Sequence, residues 1–132
     1  MRVLHPADWA PSRGFSNGVA AEGRQVFVAG QIGWNAQQEI VSDDFVAQVD
    51  QALRNIVEIL AEAGAGPEHI VRLTWYVTDK RLYLARVKDV GQAYQAIIGR
   101  HYPAMTLVQV AALLEDRARV EIEATAVVPN SQ

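Results

Sequence analysis

Two glutamates near the C-terminus, Glu121 and Glu123, have the spacing best suited to chemistry. They lie in the run Arg119 to Val128, where Val120, Ile122, Ala124, Ala126 and Val128 alternate with Arg119, Glu121, Glu123 and Thr125. Successive residues of a strand point to opposite faces, so both carboxylates leave the same side. If that face closes against a neighbouring subunit, a carboxylate on it is partly desolvated. Desolvation favours the protonated form of a carboxylic acid, which suits proton transfer near neutral pH. A solvated outer face with Arg119 as a neighbour explains the same pattern, and on spacing alone it is the stronger reading.

Other chemistries find less support. His5, His69 and His101 are far apart and form neither HxH nor HExxH, so no metal site is expected. Gly14, Gly18, Gly23 and Gly30 are spread over several turns and make no phosphate-binding loop. The absence of cysteine removes thiolate nucleophiles, disulfides and cysteine-based metal sites. Ser12, Ser16, Ser42 and Ser131 have no base marked beside them, nor do the threonines. No cofactor is expected. The net charge is −3, and the basic residues make no run longer than Lys80-Arg81. Phosphate contacts supply most of a nucleic-acid binder's affinity, so a nucleic-acid partner is not expected either. No stretch reaches the roughly 18 apolar residues of a membrane span. The first residues lack the apolar core of a signal peptide, so a cytoplasmic location is expected.

The elements that must position Glu121 follow from periodicity. With 132 residues, half of them hydrophobic, one domain over residues 1–132 is the default. A short N-terminal strand and a loop with Pro6, Pro11 and Gly14 come first. Phe15 to Ala21 and Gln25 to Ile32 read as strands joined in a hairpin through Glu22-Gly23-Arg24. The second is apolar on both faces, which predicts burial on both sides, and Gly30 marks a close approach by a backbone or ligand. Ser42 is the expected N-cap of a helix with Asp43 and Asp44 in its first turn. The helix has a buried stripe at Phe45, Val49, Ala52, Leu53, Ile56, Val57, Leu60 and Ala63, with Gln48, Gln51, Arg54, Glu58 and Glu62 opposite. Gly64, Gly66 and Pro67 end it.

Ile70 to Thr78 alternates as a half-buried strand. A second helix is expected from about Arg81 to Arg100, with Val87, Val90, Tyr94, Ile97 and Ile98 buried and Pro103 as its stop. Ala104 to Leu113 and Arg119 to Val128 complete the strands, and the tail Pro129 to Gln132 is polar. The fold class is therefore α+β. Two helices cover only one face of the sheet, and a partly apolar open face suggests an oligomer that covers it.

Four segments carry a resemblance to a known family. They are Phe15-Ser16-Asn17-Gly18-Val19, Val26-Phe27-Val28-Ala29-Gly30-Gln31-Ile32, the helix from Gln51-Ala52-Leu53-Arg54-Asn55-Ile56 through Ala63-Gly64, and the stretch from Tyr102-Pro103-Ala104 through Val108-Gln109-Val110 to Val120-Glu121-Ile122-Glu123-Ala124. Together they resemble the Rid family, also called YjgF or endoribonuclease L-PSP, in order and over nearly the whole chain. The resemblance implies a chorismate-mutase-like fold: a mixed sheet with two helices packed on one face. It also implies a homotrimer whose sheets form a central barrel, with three inter-subunit clefts. The activity implied is hydrolysis of reactive enamines and imines, such as 2-aminoacrylate, to a keto acid and ammonia. It assigns Glu121 to the attacking water. It places Phe15, Ser16, Ala29, Gly30, Gln31, Gly91, Met105 and Leu107 at positions that contact substrate.

The chain departs from the family pattern in one direction. Met105 follows Pro103-Ala104 where the family has an arginine that pairs with the substrate carboxylate, a task suited to a bidentate guanidinium. Phe15 replaces a tyrosine, Ala29 a serine, Gly91 an asparagine, and Leu107 a cysteine or small residue. Each change removes a polar group or adds an apolar one. Three functions follow in descending order: a Rid-type hydrolase with altered substrate preference, a non-catalytic protein binding a small, fairly apolar metabolite, and a ribonuclease or translation inhibitor. The acidic balance and the absent basic stripe place the last one lowest.

Overall fold

The computed structural model describes residues 1–130; the last two positions of the polar tail, Ser131 among them, lie outside the described residues. Ten elements follow one another: β1 (Arg2–Leu4), β2 (Gly18–Ala20), β3 (Arg24–Gln31), α1 (Phe45–Glu62), a 3-10 turn (Pro67–His69), β4 (Ile70–Val77), α2 (Lys80–Ala85), α3 (Val87–Ile97), β5 (Ala104–Gln109) and β6 (Val120–Val128). The main sheet has the order β3-β6-β4-β5. β6 runs antiparallel to both neighbours, while β4 and β5 are parallel, so the sheet is mixed. Parallel partners need a crossover, and α2 and α3 supply it.

The core lies between this sheet and the helices. Val120, Ile122, Ala124 and Ala126 of β6 are buried, as are Leu73, Trp75 and Val77 of β4. They meet the α1 stripe of Phe45, Val49, Ala52, Leu53, Ile56 and Leu60 and the α3 residues Val90 and Tyr94. Among the described residues no helix covers the opposite sheet face. Phe27 there is 71 % exposed. Apolar character on both faces of β3 therefore does not mean burial on both sides within one chain, because β3 is an edge strand covered on one side only.

The expected hairpin between the second and third strands does not form. β2 pairs with β1 in a separate two-stranded sheet, and β3 pairs with β6 instead. Gly23 makes this possible: its φ is +146°, and a Cβ there would lie 2.1 Å from the Val128 carbonyl oxygen. The turn thus lays the chain directly against the end of β6.

Other boundaries differ for local reasons. Asp44, not Ser42, is the N-cap of α1; its carboxylate accepts from the Ala47 N–H at 3.0 Å. The Ser42 hydroxyl accepts from the Asp44 N–H one step earlier. The second helical stretch is two helices, broken at Arg86, whose guanidinium bridges Asp44 at 3.1 Å and Asp89 at 2.9 Å. β5 ends at Gln109, short of Leu113. Strict alternation along β4 would bury Val71 with Leu73, Trp75 and Val77, but Ile70 is buried instead, because the pairing of β4 with β6 shifts between Ile70 and Arg72.

Gln48 is the largest correction. Expected on the polar side of α1, it is fully buried. Its amide donates to the carbonyls of Ser42 at 2.8 Å and Arg117 at 3.1 Å, and its oxygen accepts from the Arg119 N–H at 2.8 Å. One side chain thereby fixes both the approach to α1 and the entry into β6. Replacing it with leucine removes partners from a set of part-buried backbone groups. Gln48→Leu is expected to destabilise the fold by about 2 kcal/mol in urea unfolding.

Asp44 yields a pH-dependent expectation. The backbone N–H of Ala47, and then Arg86, hold its carboxyl below the usual value. A depressed folded-state pKa contributes stability above the unfolded value, and that contribution is lost as pH falls through the folded one. Asp44→Ala should cost about 1 kcal/mol at neutral pH. The gap between wild type and variant should narrow as pH falls below about 4, which chemical denaturation across a pH series would measure.

Candidate active site

A pocket of about 460 Å³ opens between α3, β5 and the loop that joins β1 to β2. Cavities of about 300–1,000 Å³ suit small molecules. Four sequence-predicted residues line it: Phe15, Gly91, Met105 and Leu107. They come from three segments remote in sequence. Met105 and Leu107 share the helix-facing side of β5, in register with Leu73 and Trp75 of β4. Gly91 lies in α3, and a Cβ there would meet nothing within 4 Å, so α3 leaves open space at that point. Phe15 is brought in by Gly14, whose φ of +76° a side-chain-bearing residue rarely adopts. The next residue anchors this loop. The Ser16 N–H donates to the Pro103 carbonyl at 3.0 Å and its hydroxyl to that of Tyr102. Ser16 is buried and its hydroxyl is already engaged, so it holds the loop against the start of β5.

Aromatic residues complete the wall: Trp75, Tyr83, Tyr94 and Tyr102. Tyr94 and Tyr102 stack with centroids 5.6 Å apart. The Tyr94 hydroxyl donates to the His101 carbonyl at 2.6 Å, and the Gln95 amide donates to the Tyr102 hydroxyl at 3.0 Å. Burial raises the Tyr94 and Tyr83 phenols above their ordinary range, so both stay neutral at physiological pH. Trp75 faces the helices and is buried, and it forms part of this wall. Of the α3 stripe expected only as core, Val90 and Tyr94 are buried and also line the pocket, whereas Val87 is exposed at its rim. Arg13, in the loop, had no sequence signal.

The remaining predicted residues lie elsewhere. Glu121 and Glu123 are part-buried on the open face of the sheet. One extra residue on β3 between Val28 and Gln31 makes a bulge opposite β6. There the Glu121 carboxylate lies over Gly30, where a Cβ would fall 2.0 Å from Oε2. The close approach expected at Gly30 is thus made by a side chain. Ala29 is on the open face beside Phe27 and Glu123. Gln31 turns toward α1, in a separate hollow with Trp34 and Asn55. Glu123 accepts from the Tyr76 hydroxyl at 2.7 Å, whereas Glu121 makes no side-chain hydrogen bond or ion pair among the described residues. Arg119, the expected neighbour of the acidic pair, is instead bonded to the Asp43 carbonyl.

The histidines serve structure. His5 contacts Asn17 and the Trp9 carbonyl, His69 accepts from the Gly66 N–H, and His101 donates through Nε2 to the Ile70 carbonyl at 2.7 Å. No group of three potential metal ligands occurs among the described residues. No helix among them is long and apolar enough to cross a membrane.

Comparison with known proteins agrees with this architecture. The family model for Endoribonuclease L-PSP matches residues 6–128. Human 2-iminobutanoate/2-iminopropanoate deaminase is 32 % identical over 105 residues, covering 79 % of this chain and 73 % of its own. Protein DfrA of Myxococcus xanthus is 37 % identical over 110 residues, 80 % of this chain and 77 % of its own. The crystal structure of YyfB from Yersinia pestis, a protein of unknown function in the Rid family, superposes with a TM-score of 0.86 at 37 % identity, covering 96 % of this chain and 98 % of that one.

Gly91 gives a test of the pocket's construction. It lies inside α3 with open space beside it. Gly91→Ala should stabilise the protein by about 0.5–1 kcal/mol, because alanine is the better helix former and meets no obstacle. Thermal unfolding would show the gain; a loss would mean that the pocket wall is closed at this point.

Proposed function

This chain belongs to the Rid (YjgF, endoribonuclease L-PSP) family, and on that premise we propose that it hydrolyses a small reactive imine or enamine. The reading rests chiefly on the pocket that gathers Phe15, Gly91, Met105 and Leu107, the positions the family resemblance marks for substrate. The human relative's name describes an imine deaminase. Glu121 is the general base. It draws a proton from water as the oxygen attacks the imine carbon, giving a carbinolamine. Glu121 returns that proton to nitrogen to complete the carbinolamine, then relays the hydroxyl proton to nitrogen, so that ammonia leaves as the C=O bond forms. An enamine enters the same route after tautomerising to the imine.

Within one chain Glu121 and the pocket lie on opposite faces of the sheet. The complete site is therefore a cleft between subunits of a homotrimer, in which Glu121 of a neighbouring copy meets the pocket. The open sheet face, with Phe27 71 % and Val108 40 % exposed, provides apolar surface for that assembly. Met105 removes the carboxylate-binding arginine of the family, so substrate preference shifts away from the smallest 2-imino acids. Losing a charge-assisted contact costs about 1.5–3 kcal/mol.

The aromatic wall also fits a second reading, a protein that binds a small metabolite without converting it. Ammonia release from freshly generated 2-iminobutyrate and 2-aminoacrylate separates the two. Met105→Arg is expected to raise the rate on these substrates about tenfold or more. Glu121→Gln is expected to lower it about 100-fold or more. If Glu121→Gln matches wild type in turnover, the hydrolase reading fails. A monomer in sedimentation at micromolar concentration would sink the inter-subunit cleft.

A further inference from the structure

One wall residue of the pocket carries a buried donor that the proposed hydrolysis leaves unused. Trp75 is 2 % exposed and lines the pocket. Its indole Nε1 is the one buried side-chain nitrogen or oxygen among the described residues without a hydrogen-bond partner. Native proteins pair nearly all such groups, and each exception calls for an explanation. Around it the wall is apolar: Met105 and Leu107 from β5, Val87 and Val90 from α3. The indole N–H can only donate, so what it lacks is an acceptor.

A second unspent group lies in the loop. Among the described residues, Arg13 is the only charged side chain in the pocket lining. It is exposed and makes no ion pair or side-chain hydrogen bond among the described residues. Two other arginines lie away from the pocket. Arg72 is on the open face, and Arg119 is held by the Asp43 carbonyl. The pocket thus has one cation in its exposed loop, one unpaired donor in its buried wall, and apolar surface between.

We propose that the pocket selects 2-imino acids, and their 2-oxo acid products, that carry an aromatic or bulky aliphatic side chain. Arg13 holds the carboxylate, and the Trp75 indole N–H donates to an acceptor atom of the bound molecule. The apolar side chain fills the space beside Val87, Val90 and Leu107. A two- or three-carbon acid held at Arg13 leaves that space empty, so size discrimination follows from where the cation stands. The inference rests on reading this pocket as the substrate cleft.

The test uses protein with 15N-labelled tryptophan, titrated with phenylpyruvate, pyruvate and neutral phenylacetone. The chain has three tryptophans, and the signal missing from Trp75→Phe identifies Trp75. The Trp75 indole resonance should shift on adding phenylpyruvate, which should bind about tenfold or more tightly than pyruvate. Arg13→Gln, an exposed substitution that leaves the core untouched, should weaken phenylpyruvate about tenfold and leave phenylacetone within about twofold. Trp75→Phe should weaken both aromatic ligands about fivefold. Equal binding of pyruvate, an unmoved Trp75 resonance, or an Arg13→Gln variant that binds phenylpyruvate like wild type would each overturn the proposal. Failure of phenylpyruvate to bind would overturn it too. Glu121-dependent ammonia release from 2-iminobutyrate would in that case still stand, and the hydrolase reading with it.

Discussion

A β-strand sends successive side chains to opposite faces, and the rest of this molecule follows from how β6 obeys that rule. β6 lies in the interior of the main sheet, between β3 and β4. Ile122 and Ala124 face the helices and are buried, while Glu121 and Glu123 alternate with them on the open face. Slipping the register by one residue would drive two carboxylates into the core, so the apolar face fixes the acidic one. Gln48 reinforces the register from the side, by holding the Arg117 carbonyl and the Arg119 N–H just before β6 begins. The bulge in β3 and the bare backbone of Gly30 then leave room for the Glu121 carboxylate. The same alternation separates the carboxylates from the pocket, which lies on the helix side. Chemistry that needs both has to join two chains.

The pocket comes from incomplete coverage. α1 packs closely on β6 and β3, but the helical crossover breaks at Arg86, and α3 packs against α1 and leaves the pocket between itself and β5. Gly91 withholds a side chain at the gap, and the loop carrying Arg13 and Phe15 closes it from above. Most polar atoms at this site are already committed. Ser16 holds the loop, Tyr94 holds the His101 carbonyl, and Gln95 holds Tyr102. Few groups remain to recognise a ligand, so recognition here depends on shape and on a small number of donors.

The fold was largely legible in the sequence, because its signals were strongly periodic. The α1 stripe and the alternation in β4 and β6 each pointed to the face that the structure buries. Strand partners were not legible, since Gly23 resembles a hairpin turn until the Val128 carbonyl is seen against it. Gln48 was misplaced because polarity usually marks a solvent face, and only the distant carbonyl of Arg117 gives its amide a reason to be inside. At the candidate site, the resemblance drew out Phe15, Gly91, Met105 and Leu107. Trp75 and the tyrosines were invisible as site residues, because a helix stripe or strand face that lines a cavity has the same pattern as one that fills a core. Arg13 had no periodic context at all.

Glu121 and Glu123 were equivalent by spacing, and their surroundings now distinguish them. Tyr76 donates its hydroxyl to Glu123, and that hydrogen bond, more than burial, raises the phenol above its ordinary range. The phenol therefore stays protonated as a donor, and Glu123 serves as its fixed acceptor, tying β6 to β4 on the open face. Glu121 has no such tie and lies over a glycine. A general base needs a lone pair free to take a proton, and a carboxylate already bound to a neighbour gives up part of that capacity. Of the two, Glu121 alone has no side-chain hydrogen bond or ion pair among the described residues, which is what the proposed hydrolytic role requires.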